Sequence, residues 1–305
     1  MRYGIVVHGG AGGISPPTRK GCRQAAEVGM ETLRQGGSSL DVAVAAVRWM
    51  EDSGRFNAGT GSVLRIDGTI EMDAVVATSQ GLQGTVSAVP EVKNPVLLAL
   101  EVARSNMRHI SGPGGSRFAQ EQGLESHPGA TRRARQRLGV LKAEIRQALA
   151  KGEVPQGWTE EELRRFVGSD GAHPSRCLQA VEMQHDTVGA IALDRNGVVA
   201  LAASTGGNGL MRSGRTGDVS HRGDGWDIKP EEGVLATGVG EAIIDERGAD
   251  VVLGLLGLGF TPQQACEQAL ERFSPQTNVG FIALARDAIG IAANCPMASH
   301  SITEG

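Results

Sequence analysis

Thr187 is the residue whose type and position best suit nucleophilic catalysis. It lies where a polar segment meets an apolar, strand-like run that extends to Leu193. A threonine hydroxyl is inert without an adjacent base, and by itself a threonine here is an ordinary strand former. A backbone cut before Thr187 would supply the base, because the freed α-amine has a reference pKa of about 7.7–8.0 and is attached to the same Cα. The position therefore raises the hypothesis of a threonine nucleophile activated by chain cleavage.

Two downstream segments of small polar residues, 203–207 and 236–241, could support such a nucleophile. The first ends a predicted strand at Thr205, and the second, with Thr237 and Gly238, joins a strand to a helix. A threonine hydroxyl and a neighbouring glycine N–H can stabilise a developing oxyanion, and removing one such donor costs about 3 to 4 kcal/mol. Taken singly, each segment is more typical of a β-turn.

A third segment, Gly214-Arg215-Thr216-Gly217-Asp218, offers groups that suit an amino acid. Arg215 has a planar guanidinium that can bind a carboxylate through two N–H donors, and Asp218 can accept a hydrogen bond from an ammonium group. Together they match the head group of an α-amino acid. The alternative is an ordinary pair of surface charges, which contributes little.

The elements that must position these residues are short strands and amphipathic helices separated by glycine turns, since 44 of the 305 residues are glycine without a periodic spacing. Residues 4–7 predict a strand that enters the glycine-rich loop 8–13. Apolar spacing predicts helices over 18–34 and 39–52, with Ser39 as the N-cap of the second.

Three hairpins are predicted. The first joins 62–66 to 69–76 through Asp67-Gly68, and the second joins 187–193 to 198–203 through Arg195-Asn196-Gly197. The third joins 279–285 to 288–293 through the turn at 286–287. A helix is predicted from Thr261-Pro262 to about Phe273, opened by a capping threonine and a proline. Antiparallel hairpins with helices between them favour a layered α+β fold over alternating βαβ units.

Residues 132–186 differ in composition from the rest of the chain. Four arginines, Arg132, Arg133, Arg135 and Arg137, begin a charged helical stretch, and a polar segment with glycine and proline follows. The pattern predicts a mobile linker. Acidic residues at 144 and 160–162 follow this arginine cluster, so the cluster is most simply a solvated helix face.

Composition excludes several classes of function. With 40% hydrophobic and 21% charged residues and a net charge of −4, the chain is typical of a soluble globular protein. Only 3% of the residues are aromatic, and the weakly acidic balance argues against a nucleic-acid partner. The four cysteines have no metal-binding or disulfide spacing, so we expect reduced thiols. The sequence has no uncharged apolar stretch of about 18 residues and no leader-like start, which predicts a cytoplasmic protein without membrane contact.

Six motifs follow one another along the chain. They are His8-Gly9-Gly10-Ala11-Gly12, Phe56-Asn57-Ala58-Gly59-Thr60-Gly61-Ser62, His185-Asp186-Thr187-Val188-Gly189-Ala190, Ala203-Ser204-Thr205-Gly206-Gly207, the 214–218 segment, and Thr237-Gly238-Val239-Gly240-Glu241. Taken together and in this order, they resemble the plant-type asparaginase and isoaspartyl peptidase family of N-terminal nucleophile hydrolases. The resemblance covers most of the chain, although residues 132–184 carry no part of it.

The resemblance implies one hydrolase domain over 1–305 that cuts itself between Asp186 and Thr187. The resulting α part, 1–186, and β part, 187–305, would stay together in a four-layer αββα sandwich, and αβ protomers would pair as a homodimer. The implied activity is hydrolysis of L-asparagine or β-aspartyl (isoaspartyl) dipeptides with release of L-aspartate.

The family pattern also implies a role for each matching residue. Thr187 would be the nucleophile in both reactions, and Thr205 would polarise and position its hydroxyl. Thr237 and the N–H of Gly238 would form the oxyanion hole, while Asn57 would help to hold the new amine.

Substrate and ion binding are implied in the same way. Arg215 would bind the substrate α-carboxylate, and Asp218 with the backbone of Gly240 would receive the α-amino group. No cofactor is needed for catalysis. A structural sodium ion would be held by the backbone carbonyls of Met50, Glu51, Ser53, Phe56, Ala58 and Thr60.

One segment departs from the family pattern. After Asp218 the family usually continues with Ser-Pro-Ile and a Gly-Ala-Gly turn, whereas this chain has Val219-Ser220-His221-Arg222-Gly223-Asp224-Gly225-Trp226-Asp227. Because the segment borders the predicted head-group pocket, we expect it to affect substrate preference, the efficiency of self-cleavage and subunit packing. We interpret His185 as shaping the scissile turn.

Two other classes of function are consistent with parts of the sequence. Gly238-Val239-Gly240 between a strand and a helix suggests a nucleotide- or phosphate-binding protein, but the third glycine of that motif would fall at Ile243, and no P-loop sequence is present. A catalytically silent member, or one acting on another β-amide, is the second alternative, prompted by the altered 219–227 segment.

Overall fold

The computed structural model describes residues 3–155, 157–167, 187–286 and 288–305. Its strands are β1 (Tyr3–Ala11), β2 (Met72–Thr78), β3 (Gln83–Val89), β4 (His109–Ser111), β5 (Val188–Leu193), β6 (Val199–Thr205), β7 (Trp226–Lys229), β8 (Glu232–Gly238), β9 (Val279–Ala285), β10 (Ala288–Ala293) and β11 (Met297–Glu304). Its α-helices are α1 (Pro16–Arg34), α2 (Ser39–Asp52), α3 (Pro95–Arg104), α4 (Gly112–Glu121), α5 (Arg132–Ala150), α6 (Glu160–Val167), α7 (Gly240–Glu246), α8 (Gly248–Gly257) and α9 (Pro262–Leu270).

These elements form a mixed fold with two β-sheets. The larger sheet has the strand order β11-β1-β5-β6-β2-β3-β4, and the smaller has the order β10-β9-β8-β7. All pairs are antiparallel except β3 with β4. Within the larger sheet, β5 is paired on both sides, so its backbone is fixed by β1 and β6.

Alternation along β5 decides which side chains face which layer, because successive residues of a strand point to opposite faces. Val188 and Ala190 belong to a core that they share with side chains of α1, α2 and α3. Ile191 and Leu193 belong to a different core, which also contains Leu235 of β8. One face of β5 thus meets helices, and the other meets the smaller sheet.

The smaller sheet follows the same rule. Leu235 of β8 and Ile282 of β9 face the larger sheet, whereas Val234 and Phe281 join a core with α8 and α9. Helices therefore cover the face of each sheet that does not meet the other sheet.

Two of the three predicted hairpins are confirmed, since β5 pairs with β6 and β9 pairs with β10. The hairpin predicted for 62–66 with 69–76 is wrong. Asp67 and Gly68 do form a turn, in which the Arg65 N–H binds the Thr69 carbonyl at 2.8 Å, but no strand forms over 62–66. The hairpin partner of β2 is β3.

Helix boundaries differ slightly from the predicted ones. The N-cap of α2 is Ser38 rather than Ser39, because the Ser38 hydroxyl accepts from Asp41 N and the Asp41 side chain closes a capping box. The predicted capping threonine, Thr261, is confirmed, because its hydroxyl accepts from Gln264 N, although α9 ends at Leu270 rather than near Phe273.

The described part of the segment predicted as a mobile linker is folded. Helices α5 and α6 pack through Ile145 and Leu163 into a small core with Ile66. The linker therefore does not start at 132 as expected, because apolar side chains of α5 and α6 pack against one another and against Ile66. Residues 168–186 lie outside the described chain.

Cys22 and Cys266 are buried free thiols, and Cys295 is a partly exposed one, as expected for these three; Cys177 lies outside the described residues. No helix within the described ranges combines the length and the apolar character needed to cross a bilayer.

We predict that Gly84→Ala destabilises the fold by about 1 to 3 kcal/mol, the usual result of overpacking. A methyl group on Gly84 of β3 would overlap the Ala99 carbonyl oxygen and the backbone of Ala103 in α3. Gly139→Ala is the control, since that α5 glycine faces open space, and we expect it to stabilise by roughly 0.5 to 1 kcal/mol. Urea denaturation followed by circular dichroism measures both; equal stability of the two variants would contradict the prediction.

Candidate active site

Three threonines meet in the space between the two sheets. Thr187 directly precedes β5 and shares the strand parity of Ile191, which faces the smaller sheet. Thr205 ends β6, and continuing the register Val188↔Ser204 places it opposite Thr187. Thr237 lies on β8 two residues after Leu235, on the face that meets the larger sheet. Strand alternation thus brings together three residues that are far apart in sequence.

All three threonines are buried. Thr187 is 5% exposed, Thr205 is 6% exposed and Thr237 is fully buried. The hydroxyl of Thr237 has no hydrogen-bond partner within the described part of the chain. A buried hydroxyl without a partner is unfavourable unless a ligand or water satisfies it, so Thr237 offers a donor to whatever enters this space.

Gly238 must be glycine for two reasons. Its φ angle is 138°, a region that residues with a side chain rarely adopt. A Cβ there would also overlap the Asn278 carbonyl oxygen, which accepts a hydrogen bond from Val239 N at 3.0 Å. The peptide that follows Thr237 is therefore held in one orientation.

Asn57 connects the loop after α2 to the end of β6. Its amide nitrogen donates to the Gly207 carbonyl at 2.6 Å, and its backbone carbonyl accepts from Gly206 N at 2.8 Å. Its side-chain oxygen accepts from Val63 N at 2.9 Å. Thr205 belongs to the same turn, because its hydroxyl accepts from Gly207 N at 3.1 Å. Asn57 thus fixes the backbone beside Thr205.

His8 is a buried residue beside Thr187 for which the sequence predicted no role of its own. It pairs with Gly189 across β1 and β5, and a Cβ on Gly189 would overlap its ring. Burial lowers the pKa of His8 to about 3, an effect that the nearby Thr187 backbone only partly opposes. Neither ring nitrogen makes a well-formed hydrogen bond within the described residues. The ring is therefore neutral and packs under the start of β5.

Arg215, Asp218 and Gly240, which the sequence predicts as a head-group site, lie close together. A Cβ on Gly240 would lie 2.9 Å from both Arg215 Nη2 and Asp218 Oδ1, so only glycine permits this approach. The Arg215 side chain is 17% exposed and donates from Nε and Nη2 to Glu241 Oε1 at 3.0 and 2.7 Å. The contact with Glu241 was not predicted.

Asp218 is a buried acid, 5% exposed. Burial raises the pKa of Asp218 to about 7, although the Arg215 charge opposes that rise. Its Oδ2 atom has no hydrogen-bond partner among the described groups. A Cβ on Gly225 would lie 2.8 Å from this oxygen, so the altered 219–227 segment borders Asp218.

Arg65 is a fully buried support that the sequence did not reveal. It donates to the Asn208 carbonyl at 3.2 Å and to the Arg215 carbonyl at 3.0 Å. It also lies 3.8 Å from Glu71, whose carboxylate accepts from Gly214 N at 2.7 Å and from the Ser213 hydroxyl. One cation therefore holds the loop that carries Arg215 at two points.

Asp73 supports the next turn of the same loop. Its two carboxylate oxygens accept from Ala88 N at 2.7 Å and from Gly217 N at 2.9 Å. Burial raises the pKa of Asp73, while the hydrogen bonds and Arg65 oppose the rise. In the sequence, Asp73 stands out only as a charged residue inside an apolar strand. That pattern does not reveal its distant partner, Gly217.

The predicted sodium ligands lie at the end of α2 and in the loop that follows. The Met50 carbonyl accepts from the Ser53 hydroxyl at 2.8 Å, and the Ala58 carbonyl accepts from Gly61 N at 3.1 Å. A Cβ on Gly59 would lie 3.0 Å from the Glu51 carbonyl oxygen, and one on Gly61 would overlap the Phe56 carbonyl oxygen. Carbonyls at a helix C-terminus attract a cation, so the end of α2 is where the resemblance would place the implied ion.

The other side of the predicted scissile bond, Asp186, lies outside the described residues, as does His185.

Comparison with known proteins finds relatives along almost the whole chain. A family model described as Asparaginase matches residues 1–304. The chain is 34% identical to the plant-type L-asparaginase of Pyrococcus abyssi, over 97% of this chain and 95% of that protein. It is 35% identical to the isoaspartyl peptidase/L-asparaginase of Danio rerio and 34% identical to that of Homo sapiens, each over 87% of this chain and 80% of the relative.

We predict that Arg65→Met lowers the free energy of unfolding by about 3 to 5 kcal/mol, the range for removing one member of a buried ion pair. The change leaves Glu71 and two loop carbonyls without their cation. Arg164→Met, which breaks an exposed pair with Glu160, is the control, with an expected loss of about 0.3 to 0.5 kcal/mol. Chemical denaturation compares the two; similar losses would show that Arg65 does not support the loop.

Proposed function

The chain belongs to the asparaginase family, and we propose that it hydrolyses the side-chain amide of L-asparagine and the β-linked peptide bond of isoaspartyl dipeptides, releasing L-aspartate. The observation that carries the proposal is the meeting of Thr187, Thr205 and Thr237 between the sheets. An amino-acid head-group site built from Arg215 and Asp218 supports the same substrate class.

Thr187 acts first on its own chain in this proposal. Its hydroxyl attacks the carbonyl carbon of Asp186, the bond from that carbon to the Thr187 nitrogen breaks as this nitrogen takes up the hydroxyl proton, and water hydrolyses the resulting ester. The products are a carboxylate on Asp186 and a free α-amine on Thr187, so no external base is needed afterwards.

The same hydroxyl then attacks the substrate β-amide. The α-amine of Thr187 takes the hydroxyl proton and passes it to the leaving ammonia or amine, and water hydrolyses the acyl-threonine ester. The Thr237 hydroxyl and Gly238 N–H stabilise the oxyanion, a role supported by the unpartnered, buried Thr237 donor. Thr205 orients the nucleophile, and Asn57 helps to hold the amine through the turn that both residues share.

The substrate head group binds beside Gly240. Asp218 accepts from the α-ammonium group, together with the Gly240 backbone, and Arg215 binds the α-carboxylate. Arg215 has five N–H donors, two of which point to Glu241, so its fork keeps donors for a second carboxylate. Glu241 holds the guanidinium in place over the site.

The wider architecture is proposed on the same basis. Two sheets that share a core, each with helices on its other face, support the four-layer αββα sandwich of the family. A structural sodium ion held by the carbonyls after α2 would fix the loop that carries Asn57; it takes part in no chemical step. A homodimer of αβ protomers completes the proposal, by resemblance to the family.

We expect Thr187→Ala to abolish both self-cleavage and hydrolysis, because it removes the nucleophile of both reactions. Arg215→Ala should reduce kcat/KM for L-asparagine by about 10- to 100-fold, since it removes a charged hydrogen bond, while leaving self-cleavage intact. Mass spectrometry of the fragment that begins at Thr187 follows cleavage, and ammonia release follows hydrolysis.

Arg164→Ala, on the exposed face of α6, is the control and should change neither reaction. If Arg215→Ala blocks self-cleavage as fully as Thr187→Ala does, Arg215 serves the fold rather than the substrate.

We also expect kcat/KM to rise with pH through about 7, where the raised pKa of Asp218 lies. Burial keeps Asp218 neutral below that pH, and only its ionised form attracts the substrate ammonium group; activity is therefore lost as pH falls. The pH profile of kcat/KM in Asp218→Asn should lack this step and retain only that of the Thr187 amine, whose reference pKa is about 7.7–8.0. An acid limb that is identical in both proteins would contradict the assignment.

A further inference from the structure

Asp218 carries the carboxylate of the proposed head-group site, yet it lies in a short turn rather than in a strand or an α-helix. It begins a three-residue 3-10 turn that ends at Ser220. Its Oδ2 atom has no hydrogen-bond partner among the described groups. The direction of this carboxylate therefore depends on the backbone that carries it, and the residues that hold this backbone decide where a substrate ammonium group meets the acid.

His221 holds the backbone on both sides of Asp218. Its ring donates from Nδ1 to the Gly217 carbonyl at 2.9 Å, and its backbone N–H donates to the Asp218 carbonyl at 2.9 Å. The N–H of Gly217 is held as well, because it donates to Asp73. Without the ring, the Gly217 carbonyl would keep, within the described chain, the longer bond from Ser220 N at 3.3 Å.

His221 is anchored in turn to β8, the strand that carries Thr237. The His221 carbonyl accepts from Gly225 N at 3.2 Å, and the Gly225 carbonyl accepts from Ala236 N of β8 at 2.8 Å. A Cβ on Gly225 would overlap the Asp218 carbonyl oxygen, so this turn lies directly against Asp218. His221 thus connects the head-group carboxylate to the strand of the proposed oxyanion hole.

His221 belongs to the segment that departs from the family pattern. That pattern has isoleucine at the third position after Asp218, and an aliphatic side chain has no donor for the Gly217 carbonyl. His221 is also exposed, so its replacement opens no cavity in a core. The contact that a substitution would remove is the hydrogen bond from its ring to Gly217.

We propose that His221 is a positioning residue that aims Asp218 at the substrate α-ammonium group, and that it thereby sets the preference of the site for α-amino acids. The inference rests on the proposed hydrolase function and deepens it. His221 acts through Gly217 and the backbone of Asp218, not by touching the substrate. Its loss lets the carboxylate move away from the ammonium group, while Arg215 still binds the α-carboxylate. Substrates with an ammonium group are then affected more than substrates without one.

The test compares kcat/KM in the processed protein for L-asparagine and for succinamate, which is asparagine without its α-ammonium group. The wild-type protein should prefer asparagine by about 100-fold or more, because a site built to pair a polar group rejects the analogue that lacks it. His221→Ala should reduce this preference by about tenfold, the effect of weakening one charged hydrogen bond. The loss should come mainly from a higher KM for asparagine. Equal losses for both substrates would show that His221 serves only the fold and would overturn the proposal.

Two further variants separate the ring hydrogen bond from the turn around it. His221→Asn places an amide N–H at the position of Nδ1 and should restore most of the preference. Arg222→Ala is the matched control, since it removes a neighbouring side chain that donates to Asp227 and to the Ile228 carbonyl; it should leave the preference unchanged. No recovery in His221→Asn, or a loss in Arg222→Ala as large as that in His221→Ala, would overturn the assignment.

A double variant tests whether His221 acts through Asp218. Adding His221→Ala to Asp218→Asn should not lower the preference further, because the charge that His221 positions is already absent. A further loss as large as that in the wild-type background would overturn the positioning role. A wild-type protein that hydrolyses both substrates equally well would also overturn it, but would leave the hydrolase function standing. A wild-type protein that hydrolyses neither substrate would overturn the proposed function, and this inference with it.

Discussion

The pairing of β5 with strands on both sides is the constraint on which the site depends. It fixes the backbone at Thr187, sets the parity that turns this residue toward the smaller sheet, and places it opposite Thr205. The same pairing explains how the chain could be cut before β5 without coming apart. After such a cut β5 and β6 would belong to the β part, yet they remain hydrogen-bonded to β1 and β2 of the α part. Cleavage would free an amine without freeing the strand.

Buried charged side chains position the loop after β6, which strand pairing does not hold. The loop from β6 to the head-group site has no regular structure, and it is held by Arg65, Glu71 and Asp73 through its backbone groups. Burying such groups is unfavourable unless each finds partners, and the loop carbonyls and amides supply them. Asp218 is different, since one of its oxygens has no partner within the described chain and burial raises its pKa. That oxygen is suited to accept from a substrate ammonium group, whose charge would restore the ionised form.

The sequence predicted those parts of the site that depend on local segments. Glycine beside a chemically useful side chain marked Gly238 and Gly240, and the hairpin signals around β5 and β9 depend on turns a few residues long. What it could not predict depends on long-range contacts. The turn at Asp67-Gly68 is local, and it forms as predicted. The two carbonyl groups that bind the neighbouring Arg65 side chain lie 143 and 150 residues away along the chain, and the sequence did not reveal them. The core under α5 was missed for the same reason, because it needs Ile66 as well as the two helices.

The central claim is that Thr187 gains its proton acceptor only when the bond before it breaks. A time course of maturation tests this claim most directly, with the cleaved fraction measured by mass spectrometry and asparagine hydrolysis measured on the same samples. We predict that activity rises in direct proportion to the cleaved fraction and extrapolates to zero for the intact chain. Full activity in samples whose bond between Asp186 and Thr187 is still intact would contradict the account.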